Sequence, residues 1–325
     1  MTQSQYNALY LQAKKELANL TATTLKKIRA VYISESKKVA DEILKAKTKG
    51  LSNLTTDSLQ NIYNQLQDSA KKISEKLEDL LYSGVDKSAG NIAGIDEKYL
   101  LDLIGLTDGK LTKISIENMF LAVNDNAIKS MVARIYQDGY TFSERVWNVG
   151  KDYQNQLKDI ISGGIASGRD VIDIAADLNS YVKDSKQKLI TRWGDFTEDS
   201  PGWLKRIRKD VYYPSLRLVR TELYSSLRDS TELSGAMNPA CEGLYDWIRT
   251  NQTDWRCKCP EHEAGSPYTR ETLPNPEDVH TNCLCRIQPR LRDRQQFSDD
   301  MVAWANGEDV DYIDDWYNEF YSQVE

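Results

Sequence analysis

The chain has 325 residues, of which 40% are apolar and 28% charged, and a formal net charge of −7. That length allows two or three domains with a buried core. No apolar run reaches the ~18 to 20 residues of a membrane-spanning helix, and the acidic balance argues against general coating of duplex nucleic acid. Sparse Gly and Pro with plentiful charge predict a mainly α protein. The first residues are polar and lack the apolar centre of a secretory leader. The expected setting is therefore soluble and reducing, where the five cysteines serve as thiols or metal ligands rather than disulfides.

Charge is unevenly spread. Residues 1–50 carry ten Lys/Arg against four Asp/Glu, whereas residues 293–325 carry one Arg against ten acids. A basic end and an acidic end suit contacts with partners or with other copies of the chain.

In chain order, residues 6–45 show one apolar stripe (Leu9, Ala13, Leu17, Leu20, Leu25, Ile28, Val39, Ile43) at helical spacing. A second stripe, capped at Thr55 or Thr56, runs Leu59, Ile62, Leu66, Ala70, Ile73, Leu77, Leu80. The two predict a long antiparallel hairpin. Gly84 to Gly94 reads as a loop and residues 96–104 as a short helix before the Asp108-Gly109 turn. A helix with Ile116, Phe120, Val123, Ala127 and Met131 follows. Another, capped by Ser143, extends to Ile160, where Gly163-Gly164 and Gly168 break the chain. Asp170 opens a further helix through Val182.

Residues 183–213 read as a domain boundary with a basic aromatic stretch from Trp203 to Lys209. Pro214 starts a helix to about Met237, with Leu216, Val219, Leu223 and Leu227 facing inward. Arg220 and Glu222 flank that stripe and Thr221 faces away. Strands are expected at 243–249 and 284–291. The last stretch is acidic but holds Phe297, Trp304, Tyr312, Trp316, Tyr317, Phe320 and Tyr321, so it should dock rather than remain a disordered tail. The predicted architecture is an elongated N-terminal helical region with a small α+β C-terminal domain. Its segments are a helical hairpin region (1–110), a central helical region (111–200), the α+β domain (201–292) and the acidic aromatic tail (293–325).

All cysteines and both histidines lie between Cys241 and Cys285. The core of that stretch is Cys257-x-Cys259-x2-His262, then His280-x2-Cys283-x-Cys285. A structural zinc ion needs four N/S ligands. The preferred set is Cys257, Cys259, His280 and Cys283, with Cys285 as substitute and His262 as a weaker one. Cys283 and Cys285 can serve one ion only if they precede the strand, because alternate residues of a strand face opposite sides. The competing reading is of reduced thiols packing as small apolar side chains. Cys241 reads as a buried strand residue.

Catalytic patterns are missing from the sequence: it has no His-Glu-x-x-His, no deaminase Cys pair, no Walker loop and no nucleophile elbow. The predicted protein is not an enzyme.

Pro214 to Arg290 resembles the C-terminal domain of the phage Mu F-like minor head (head-morphogenesis) proteins. The matching pieces are Val219-Arg-Thr-Glu222, the Trp247 strand, Asp254-Trp-Arg-Cys257-x-Cys259 and Pro276-x3-His280-x-Asn282-Cys283-Leu-Cys285-Arg286. Upstream, the glycine-broken segment from Gly164 to Ala175 is also similar. The chain departs from the family pattern at Thr281 (Pro in relatives), at Leu284 (Arg) and in the narrower Cys257-x-Cys259 pair. The resemblance implies a minor structural protein of a tailed bacteriophage that associates with the portal and other head proteins. Such a protein acts in head assembly, packaging or genome delivery, and resides in the virion and, during assembly, in the host cytoplasm. The alternative reading is a zinc-stabilised nucleic-acid-binding adaptor that uses the basic stretch at 203–209.

Overall fold

The computed structural model describes residues 1–49, 54–135, 138–193, 202–250, 258–275 and 279–324. The protein is mainly α with a small two-stranded sheet towards the C-terminus, as its composition predicts. The elements are α1 (Gln3–Thr48), α2 (Thr56–Leu101), a 3-10 turn (Ile104–Leu106), α3 (Lys113–Ala133), α4 (Phe142–Ala166), α5 (Val171–Asp184), α6 (Lys186–Trp193), α7 (Gly202–Arg206), α8 (Tyr213–Ala236), β1 (Cys241–Ile248), α9 (Cys259–Ala264), β2 (Arg286–Leu291), α10 (Arg294–Ala305), α11 (Asp311–Trp316) and a π turn (Tyr317–Tyr321). They form two compact units. The first comprises Met1–Ala22, Leu81–Phe142 and Val219–Glu325, and the second Thr23–Leu80 and Ser143–Leu218.

In the first unit α1 buries Tyr6, Tyr10, Ala13 and Leu17 at steps of three and four, the stripe of an amphipathic helix. It runs antiparallel to α2, with Tyr6 meeting Asp96 and Glu16 meeting Asn91. The stretch from Gly84 to Gly94 is helix, not loop. Its stripe continues without a break through Leu81, Val85, Ala89 and Ile92, all buried. Gly84 serves close packing, since a Cβ there would lie 2.8 Å from Leu223 of α8, whereas a Cβ on Gly94 would meet nothing within 4 Å. Tertiary contact overrides the ~1 kcal/mol helix penalty of such a glycine.

Helix α8 is the axis of this unit. Every residue from Thr221 to Arg228 is buried, so its surroundings are closed on all sides and it lacks the single inward face expected. Thr221, predicted to face away, is inside. Glu222, fully buried, pairs with Arg134, the residue that caps the C-terminus of α3, at 2.9 Å.

Strands β1 and β2 pair antiparallel, with Tyr245 opposite Pro289 and Trp247 opposite Ile287. Cys241 begins β1 and is buried, as predicted. The acidic C-terminal stretch docks on its own unit. Trp316 Nε1 donates to the Met237 carbonyl at 2.7 Å, Thr112 N–H donates to Tyr321 Oη at 2.6 Å, and Lys110 Nζ lies 4.5 Å from the centre of the Trp304 ring.

In the second unit Tyr32 stacks edge-on to Tyr153 and Tyr212 at 5.2 and 5.1 Å, and its hydroxyl meets Ser215 at 2.7 Å. Helix α4 runs through Gly163-Gly164 to Ala166, beyond the break predicted there. Trp203 fills the place of a Gly163 side chain, its ring 2.1 Å from where a Cβ would sit, so only glycine fits. The break falls at Gly168, whose φ of 69° is in the left-handed region. The basic stretch is tied down: Arg208 pairs with Asp152 at 2.9 Å and Arg206 with Asp159 at 3.8 Å, both carboxylates being on α4.

Candidate metal centre

Among the described residues between β1 and β2, α9 is the one helix. Tyr268 pairs with Tyr245 through two backbone hydrogen bonds of 2.8 and 2.9 Å, adding a short bridge to β1. Beneath it Tyr245, Trp247, Cys259, Cys283, Cys285 and Ile287 form one buried cluster. Trp247 is flanked by the His262 ring at 5.0 Å and the Arg228 guanidinium at 5.7 Å.

Helix α8 fastens the second half of this loop. Thr221 Oγ1 accepts the Asn282 N–H at 2.9 Å, and Arg228 donates to the Cys285 carbonyl at 3.1 Å. These residues are seven apart and so lie on one side of the helix. Asn282 has a φ of 67°. Asparagine tolerates that left-handed conformation better than most residues, and the resulting turn carries Cys283 and Cys285 into the cluster ahead of β2. The condition for both to approach one centre is therefore met: neither lies in the strand.

Three of the predicted ligands converge. The ligand atoms of Cys259, His280 and Cys283 all lie within 4.8 Å of one another. Cys259 Sγ is 3.7 Å from Cys283 Sγ and 3.4 Å from His280 Nε2. A tetrahedral ion held at about 2.3 Å by sulfur and about 2.0 Å by nitrogen requires edges of roughly 3.8 and 3.5 Å. The two edges that meet at Cys259 thus already match such a site, and the third is within 4.8 Å. His280 Nδ1 meets the Thr281 carbonyl at 2.9 Å. With the proton on Nδ1 donated there, Nε2 presents its lone pair to the centre, the arrangement common among metal-bound histidines.

Cys259 and Cys283 are buried and His280 is exposed, so the imidazole is the solvent side of the cluster. Hydrogen bonds from Cys259 and then Cys285 hold the Cys283 thiol far below the ordinary thiol range. Cys285 lies above its ordinary value. The bond with Cys259 lowers it, but the bond to Cys283, burial and the Cys283 charge outweigh that. A thiol held low is the form that ligates a metal, since the thiolate is the coordinating species.

Cys257, the fourth member of the preferred set, lies outside the described residues. Cys285 is buried in contact with Cys259 and Cys283. His262 packs on Trp247, and its Nε2 has no hydrogen-bond partner.

A second polar centre went unseen in the sequence. Asp96 of α2 is fully buried and accepts four hydrogen bonds: from Tyr6 and Asn238 (2.8 Å) on one oxygen, and from Tyr10 and Ser234 (both 2.6 Å) on the other. Burial raises its pKa from the ordinary carboxylate value, and the four donors pull it partly back. Cys241 Sγ touches Tyr6 Oη at 3.5 Å, and burial pushes that thiol well up. This cysteine belongs to the Asp96 network and not to the metal trio.

No family model, curated protein or solved structure matches the chain.

Proposed function

We propose that the chain is a minor head protein of a tailed bacteriophage, and that zinc bound by Cys259, His280 and Cys283 staples its small α+β region. The carrying observation is the placement of the residues that resemble the Mu F-like signature. His280, Asn282, Cys283 and Cys285 form one turn: Asn282 adopts the left-handed conformation, the side chains around it close a sulfur–imidazole corner, and α8 holds the backbone. Zinc suits a soft, sulfur-rich set, and the fourth ligand is Cys257 or Cys285. Closed coordination makes the ion structural, stabilising a loop too short to form a core of its own. The role is recognition and assembly without turnover. The partners are the portal and other head proteins, and the sites of residence are the assembling procapsid and the virion.

The adaptor reading draws less support. Two guanidinium groups of its basic stretch are engaged by Asp152 and Asp159, so that stretch offers few free charges for phosphate.

Two measurements test the proposal. Elemental mass spectrometry of protein purified without chelator should find one zinc per chain, lost in Cys283→Ser; a metal-free, stable protein sinks the staple. Co-expression with the portal of the same phage should yield a complex by size exclusion. A chain that never associates with portal or procapsid refutes the assembly role.

A further inference from the structure

We propose that Cys259 and Cys283 are also a redox pair: in the metal-free protein, hydrogen peroxide joins their sulfurs in a disulfide that closes the same loop the metal closes. This deepens the metal reading, and it rests on the virion reading only for its consequence. The sulfurs are already in van der Waals contact at 3.7 Å. A disulfide needs about 2.05 Å, an approach of roughly 1.6 Å. Neither residue is locked in a sheet. Cys259 opens the six-residue α9, and Cys283 follows Asn282 in irregular chain, so side-chain rotation with small backbone shifts can supply the approach. The two are 24 positions apart, and the bond would tie the start of the loop to its end.

The way in is through His280, the exposed member of the trio. While a metal is bound, both sulfurs donate to it and the imidazole covers them. Once the metal leaves, both sulfurs are uncoordinated, and though buried they are reached by a small oxidant past the exposed His280 ring.

The chemistry balances without a further partner. One thiol attacks peroxide: an S–O bond forms, the O–O bond breaks, sulfur loses two electrons and one water departs. The second sulfur then attacks the sulfenic acid. An S–S bond forms, the S–O bond breaks, and the thiol proton leaves with the oxygen as a second water. Two thiols and one peroxide become one disulfide and two waters. Cys285, which touches both sulfurs, is the internal competitor. For a virion component the consequence is a loop held by metal in the reducing cell and by a covalent bond after release.

The experiment treats the full-length chain, chelator-stripped or metal-loaded, with a slight excess of hydrogen peroxide. The residual thiols are then alkylated, and the peptides and metal content are measured. In the stripped protein we expect titratable thiols to fall from five to three, since one bond consumes two. A single linked peptide should join Cys259 to Cys283, and dithiothreitol should reverse it. The loaded protein should react at least tenfold more slowly. Linkage through any other cysteine, links between chains, or oxygen addition without linkage overturns the pair. Circular dichroism of the stripped protein checks that it is folded, and Cys259→Ser and Cys283→Ser should each abolish the link. A linked peptide from protein that never held metal would defeat the metal reading and leave the pair. Bound metal without a linked peptide after stripping would do the reverse.

Discussion

Within the first unit the chain satisfies its buried polar chemistry in two different ways. Around Asp96 every requirement is met from inside: four neutral donors from α1, α8 and the chain after it converge on one carboxylate. Around Cys259, His280 and Cys283 the donors are lone pairs facing one another, with the Cys283 thiol held below its ordinary range. The first centre is complete as folded, while the second has the donor set that a cation would complete. Helices that pack along apolar stripes can enclose a self-sufficient polar knot. The loop between β1 and β2, whose described residues hold a six-residue helix and one bridge, offers instead a set of lone-pair donors.

The largest expected effect comes from emptying the self-sufficient centre. Asp96→Ala leaves four buried donors without an acceptor and should cost about 3–5 kcal/mol. Urea denaturation should show it, with the metal content of the folded fraction unchanged. Equal loss of metal would mean that the two centres are one cooperative network.

Removing the metal should cost less and act locally. A loop-closing link is worth roughly 2–4 kcal/mol, and strong chelation should remove about that much. Hydrogen exchange should accelerate at residues 258–275 and 279–285 and stay slow along α1 and α2. Global acceleration would contradict the division between the two centres.

A smaller effect should follow from loosening the loop without touching a ligand. Thr221→Val keeps shape but removes the acceptor of the Asn282 N–H, a loss of about 1–2 kcal/mol. Its sharper signature is faster metal release, because the turn that presents Cys283 loses its anchor. A variant with an unchanged release rate would show that the turn holds its shape unaided.

How much of this could be read in the sequence follows from the range of each interaction. The convergence of Cys259, His280 and Cys283 was legible because they are rare residues at close spacing, and so was the need for Cys283 and Cys285 to precede their strand. The stripes of α1 and α2 were legible because helical periodicity is local. Gly84 to Gly94 was misread because glycine signals a loop by propensity, while Leu223, which packs closely on Gly84, is far along the chain. Thr221 was turned the wrong way because periodicity assumes one buried face and α8 is buried all round. The Asp96 knot gave no signal at all. Its partners are separated from it by 86 to 142 positions, and nothing in the sequence near Ile95-Asp96-Glu97 distinguishes a buried aspartate from a solvated one.

The gentlest test sharpens the contrast through pH. Burial raises the Asp96 pKa above its unfolded value, even against four donors. The folded state therefore holds the Asp96 proton more tightly than the unfolded chain does. By linkage, this group's contribution is fully present below the unfolded pKa of about 3.9 and is lost as pH rises through the folded pKa. Asp96→Asn cannot titrate. It should be less stable than the wild type at every pH, because its amide turns a donor towards other donors. Its deficit should be widest near the unfolded pKa and narrow as pH rises and the wild-type carboxyl ionises in its buried site. Denaturation midpoints of the two proteins across that range give the difference directly, and common titrations elsewhere cancel. A deficit that grows with pH would mean that the four donors overcome burial and that the folded carboxylate is the favoured form. Asp96 would then resemble the sulfur cluster, a negative charge stabilised in the interior, and the contrast between the two centres would lie only in where each finds its partner.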